Sequence, residues 1–76
     1  MDIYPNPAKD HLRVSFTRAA FETLECYNVS GKLIATYAID SQQDLFIDLS
    51  MYSEGVYILK AISKDEVYKT KFSIVR

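Results

Sequence analysis

Apolar residues recur at every second position through most of this chain, the period of strands with one buried face. Leu12, Val14 and Phe16 alternate with Arg13 and Ser15, and Leu45, Ile47 and Leu49 alternate with Phe46 and Asp48. In the last stretch, Tyr68, Thr70, Phe72 and Ile74 fall on one face, and Lys69, Lys71 and Ser73 fall on the other. Lysines on the open face suit an edge strand. Residues 56–62 break the rule, being apolar, aromatic or β-branched at all but one position. That run predicts a strand buried on both faces, in the middle of a sheet. Two further strands are expected, one from about Glu22 to Asn28 with Leu24 and Cys26 on one face, the other over residues 32–38.

The intervals between these runs read as turns. Ile3-Tyr4-Pro5-Asn6-Pro7-Ala8 suits a short edge strand turning at Asn6, because two prolines forbid both helix and a central strand position. Asn28-Val29-Ser30-Gly31-Lys32 is a hairpin turn between two apolar runs. Residues 40–44 form a polar loop, and Ser63-Lys64-Asp65-Glu66 forms a short charged hairpin loop. Residues 17–21 have some helix-starting propensity, with Thr17 as cap, but read as a loop before the strand. About seven short strands at close spacing and no helix predict an all-β fold, an immunoglobulin-like antiparallel sandwich.

The chain is organised around the stretch from Asp48 to Ile62. Leu49, a short polar loop, Gly55, one residue and then Tyr57 resemble the tyrosine corner of such sandwiches, in which a tyrosine hydroxyl bonds back to upstream backbone. Tyr57 is the expected corner residue; the alternative is an ordinary half-buried strand aromatic. Gly55 suits a sharp turn because glycine takes positive φ without steric penalty.

Composition narrows the field. The 76 residues suffice for one domain. The net charge of −1 argues against a polyanion binder such as a nucleic-acid-binding protein. Charge is uneven, however. Residues 1–59 carry four basic and eight acidic side chains, and residues 60–76 carry five basic and two acidic ones. The basic end either faces a partner or guards a strand edge. No apolar run reaches membrane length. Cys26 is the only cysteine, which excludes an internal disulfide, and on a strand it reads as a small buried hydrophobe.

Chemistry-bearing constellations are sparse. His11 and Cys26 lack a third partner for nucleophilic catalysis, and Asp40, Asp44, Asp48 and Glu54 lack the dense alternation of a calcium loop. No catalytic, metal or cofactor site is expected. Tyr27, Tyr37, Tyr52 and Tyr68 are candidates for stacking on sugar rings, the feature that keeps a carbohydrate-binding or adhesive module, or a plain spacer domain, as alternative readings.

Four pieces in order carry a family resemblance. They are Tyr4-Pro5-Asn6-Pro7-Ala8, Tyr27-Asn28-Val29-Ser30-Gly31-Lys32-Leu33, Ile47-Asp48-Leu49-Ser50 leading to Gly55-Val56-Tyr57, and Lys71-Phe72-Ser73-Ile74-Val75-Arg76. Together they resemble the type A C-terminal sorting domain of type IX secretion cargo in Bacteroidetes. Asn28 stands where aspartate is common, Cys26 at a usual aliphatic position and Arg76 for a frequent lysine. The resemblance implies a noncatalytic sandwich at the end of a larger exported protein, with a passenger domain N-terminal to it. It implies recognition by type IX translocon components, then removal by a sortase-like peptidase, and a secreted or cell-surface location. Pro5, Asn6, Pro7, Lys69, Lys71 and Arg76 are the expected recognition residues, the final strand donating its unpaired edge. Gly31, Lys32, Asp48, Gly55 and Tyr57 are expected to determine the fold.

Overall fold

The computed structural model describes residues 1–16, 21–39 and 44–76. Within them lie seven strands: β1 (Asp2–Tyr4), β2 (His11–Ser15), β3 (Thr23–Asn28), β4 (Leu33–Ala38), β5 (Asp44–Asp48), β6 (Gly55–Ile62) and β7 (Val67–Ile74). All pairings between them are antiparallel. Three strands form one sheet in the order β1-β2-β5, and four form the other in the order β4-β3-β6-β7. The constant-type immunoglobulin arrangement places its fourth strand beside the fifth. Here the fourth strand pairs with the third instead, so the larger sheet extends one strand further than the smaller. The expected all-β sandwich of seven strands is the observed one.

The alternating residues do what their period dictates. Leu12, Val14, Ile47 and Leu49 point inward from one sheet, and Leu24, Cys26, Tyr57, Leu59, Ala61, Phe72 and Ile74 from the other; all are buried. Phe16, Phe21 and Ile39 close the core from beyond the strand ends. On the outer face of the small sheet, Tyr4, Arg13 and Phe46 stand in register across three strands. The Arg13 guanidinium lies 5.3 Å from the Tyr4 ring centre and 5.4 Å from that of Phe46, within cation–π reach.

Two expectations are corrected. β6 does lie inside its sheet, but only one of its faces is buried; Ile58, Lys60 and Ile62 on the other are half-exposed. An antiparallel sandwich leaves its outer faces to water, and the apolar outer residues misled the reading. Asp44 is no loop residue: it opens β5 and its carboxylate accepts a hydrogen bond from Arg13 Nη2 at 3.0 Å. Tyr68 shares the parity of Phe72 and stands opposite the buried Ala61, yet it is 46% exposed. The remainder of the expected polar loop, residues 40–43, and the loop at residues 17–20 lie outside the described residues.

The β3–β4 turn is organised by Asn28. Its Oδ1 accepts from the Ser30 N–H, the Ser30 hydroxyl and the Lys32 N–H, at 3.1, 2.8 and 2.9 Å. Gly31 completes it at φ +91°, a left-handed conformation that favours glycine. An asparagine oxygen does here what a carboxylate oxygen would do.

Candidate functional site

The chain after β1 folds back along β7. Ala8 is fully buried and forms a parallel bridge to Ile74. Its N–H donates to the Ser73 carbonyl at 2.8 Å, and its carbonyl accepts from the Val75 N–H at 2.9 Å. Asn6 Oδ1 accepts from the Ser73 N–H at 3.2 Å. Both prolines of Pro5-Asn6-Pro7 are exposed, and both preceding peptide bonds are cis.

This corrects the expectation of an unpaired final edge. From Ser73 onward β7 is covered. Backbone groups alternate in direction along an antiparallel strand. Those of Ser73 point away from β6 to Asn6 and Ala8, so those of Lys71 and Lys69 point the same way, onto the part of the edge that no described strand covers. The open stretch therefore begins where the Asn6 contact ends.

The side chains divide accordingly. Asn6 and Lys71 share a shallow groove with Val56, Phe72 and Ser73. Lys69 lines a second one with Lys60, Tyr27, Gly31 and Ile58. Lys60 stands directly opposite Lys69 in the ladder, and the Lys60 ammonium lies 5.9 Å from the Tyr27 ring centre. Like charges directly across a strand pair are destabilising, so this pairing concentrates positive charge on the surface without stabilising the fold. Sequence reasoning did not place Lys60 beside Lys69, which only the β6–β7 register reveals.

Arg76 faces elsewhere. Its guanidinium donates to the Leu49 and Tyr52 carbonyls, both at 2.7 Å, and its Nε lies 3.8 Å from an Asp10 carboxylate oxygen. Its N–H donates to Glu54 Oε1 at 3.1 Å. Arg76 thus grips the corner between β5 and β6. Tyr57 grips the same corner from inside, its hydroxyl donating to the Ser53 carbonyl at 2.6 Å while its ring stacks on Phe72 with centres 5.5 Å apart. The tyrosine corner exists as expected. Gly55 begins β6 at φ +150°, and Asp48 Oδ1 accepts from the Ser50 N–H at 2.9 Å, which holds that carboxyl below its usual range.

The remaining candidates are dispersed. Cys26 is buried, and burial pushes its thiol up to about 11, which keeps it protonated at neutral pH; His11 is exposed on the other sheet. Asp44 faces Arg13, Asp48 caps the Ser50 turn and Glu54 meets Arg76, while Asp40 lies outside the described residues. Among the described residues no group of three or more His, Cys, Asp or Glu side chains is placed to hold a metal ion. The tyrosines make no common platform. The Tyr27 hydroxyl donates to Glu25 at 2.6 Å, Tyr37 and Tyr52 share a hydroxyl–hydroxyl bond at 2.6 Å, and Tyr68 stands apart on β7.

Fold and surface together define an immunoglobulin-like β-sandwich whose distinctive feature is a fastened, cationic edge strand. The chain belongs to the family described as the secretion system C-terminal sorting domain, which it matches over residues 2–75. That family comprises sorting signals for type IX secretion and is in general noncatalytic. Membership implies interaction with the type IX machinery and a protein exported across the outer membrane, secreted or surface-attached. No curated protein matches the chain in sequence.

Proposed function

We propose that this domain is a folded address, read by the type IX translocon in the outer membrane through the open stretch of β7 and the turn beside it. The passenger lies N-terminal to the domain, and a sortase-like peptidase removes the domain after passage. The observation that carries this reading is the adjacency of two surfaces. The outward backbone of Lys69 and Lys71 ends where Asn6 and its flanking prolines begin. An acidic strand added to this edge would gain backbone hydrogen bonds, ion pairs with both lysines, and contact with the Pro5-Asn6-Pro7 turn. Arg76 supports recognition by holding the end of β7 in place.

The test is a fusion of residues 2–76 behind a signal peptide and a fluorescent passenger, expressed in a Bacteroidetes host with and without the translocon. Surface and medium fluorescence should depend on the translocon and fall on Lys69→Glu/Lys71→Glu. Charge reversal is the sharper variant, because deleting residues 71–76 would also remove the buried Phe72 and Ile74. A folded fusion retained in the periplasm of both strains, while a known cargo is exported, overturns the proposal.

A further inference from the structure

The larger sheet has a second edge, and its character differs from that of β7. β4 reads Leu33-Ile34-Ala35-Thr36-Tyr37-Ala38, without a single charged residue or proline. Its Leu33 and Ile34 are 46% and 42% exposed. Edge strands are normally guarded by charge, proline, a bulge or a covering segment. β4 has one of these devices: the register shifts between Cys26 and Tyr27, which leaves Ile34 as an extra, bulged residue. The bulge guards only the start of the strand. From Ala35 to Ala38 the ladder is regular.

The direction of the backbone groups follows from a neighbouring bond. Ile39 donates its N–H to the Glu22 carbonyl, so its groups point toward β3. By alternation those of Tyr37 and Ala35 do the same, and those of Thr36 and Ala38 point out from the sheet. Among the described residues, no strand covers them.

We propose that β4 pairs with β4 of a second copy of this chain, antiparallel and about a two-fold axis at Tyr37. In that register Thr36 faces Ala38 of the other copy, and Ala38 faces its Thr36. Both are pairs whose free groups point at each other, giving four backbone hydrogen bonds from two residues per copy. The two Tyr37 side chains meet on the inner face as a cross-strand aromatic pair. Such an interface is self-complementary, as a two-fold requires. Charge decides the occupant. A neutral edge meets its own copy without repulsion, whereas β7 meeting β7 would oppose Lys69 and Lys71 to themselves. The proposal stands apart from the sorting role and holds or fails without it.

Sedimentation equilibrium of the 76-residue chain at rising concentration, with amide hydrogen exchange, tests the proposal. The expected result is a monomer–dimer equilibrium in which exchange slows at Thr36 and Ala38 but not at Lys69 and Lys71. Ala38→Pro removes two of the four bonds and weakens association by roughly tenfold or more. Thr36→Lys keeps its N–H, sets two ammonium groups near the axis, and also weakens association; circular dichroism verifies that each variant folds. If Ala38→Pro fails to fold, Thr36→Lys decides alone. A chain that stays monomeric at every concentration overturns the proposal, including one whose Thr36 and Ala38 amides are protected only by an added foreign peptide. So does a dimer that survives Thr36→Lys or protects Lys69 and Lys71 instead.

Discussion

The two flanks of this sandwich are finished by different means. On one flank, where β1 and β7 lie, the sheets are sewn together: Ala8 bridges to Ile74, Asn6 accepts from Ser73, and Arg76 reaches across to the corner loop. On the other flank, β4 and β5 end their sheets with no pairing between them among the described residues. A hydroxyl pair, Tyr37 with Tyr52, spans that gap beside a groove lined by Ile34, Ala35 and the 93%-exposed Met51. The sewn flank uses main-chain bonds and side chains that reach the backbone of distant segments, which fixes geometry. The open flank uses apolar surface, which leaves room for a partner. A four-stranded sheet over a three-stranded one produces this asymmetry, because among the described residues the extra strand, β4, has no strand of the smaller sheet to match it.

The comparison predicts that stability concentrates on the sewn flank, and the largest effect should come from its buried seam. Ile74 is 1% exposed, opposite Gly55 on β6 and beside Ala8. Ile74→Ala should lose about 2–5 kcal/mol in urea unfolding. Against a total of roughly 4–11 kcal/mol expected for a chain of this length, that is enough to leave a partly unfolded population. A loss under about 1 kcal/mol would show that the seam is an ornament of the edge and not a part of the core.

Next in size is Arg76→Met, which keeps the aliphatic stem but removes the two 2.7 Å bonds to Leu49 and Tyr52. With its side chain 30% exposed, water replaces part of what is lost, and about 1–2 kcal/mol is expected. Lys69→Met, on the same flank but free of the corner, should change stability by less than about 0.5 kcal/mol. Equal effects from the two would mean that Arg76 fastens the corner no more than an unattached surface lysine does.

Much of this was legible in the residues, and the limits are physical. Strand period placed Leu12, Val14, Leu24, Cys26, Phe72 and Ile74 in the core because burial of one face imposes a period of two. The corner was legible because glycine and tyrosine at that spacing answer a local backbone demand. The Ala8–Ile74 bridge was not, since it joins segments far apart in sequence and Ala8 carries no signal beyond its smallness. Arg76 looked like a surface contact because a charged residue beyond a strand gives no hint of the two carbonyls it meets. Lys60 needed the β6–β7 register before it joined Lys69. The outer face of β6 misread as buried shows the converse, that apolar residues tolerate a wet sheet face.

Tyr57→Phe sharpens the account of the corner. It keeps the ring on Phe72 and deletes only the bond to Ser53, so about 1 kcal/mol is expected. Tyr57 and Arg76 hold carbonyls within one short loop, so their losses should not add. The double variant should deviate from the sum of the single losses by about 0.5 kcal/mol or more in a mutant cycle. Strict additivity would mean that the loop is held at two independent points rather than as one unit.

The smallest effect belongs to the open flank and is the most discriminating. Thr36→Lys adds a long charged side chain to the exposed outer face of β4, where it breaks no hydrogen bond within the chain. At concentrations low enough to keep copies apart, its melting should match the parent to within about 0.5 kcal/mol. A substitution silent in the isolated chain yet damaging to association would locate the role of β4 outside the molecule. If Thr36→Lys instead destabilised the isolated chain as much as Arg76→Met, β4 would be fastened by contacts of its own. The open flank would then be a second sewn one, and the asymmetry between the two edges would reduce to one of charge.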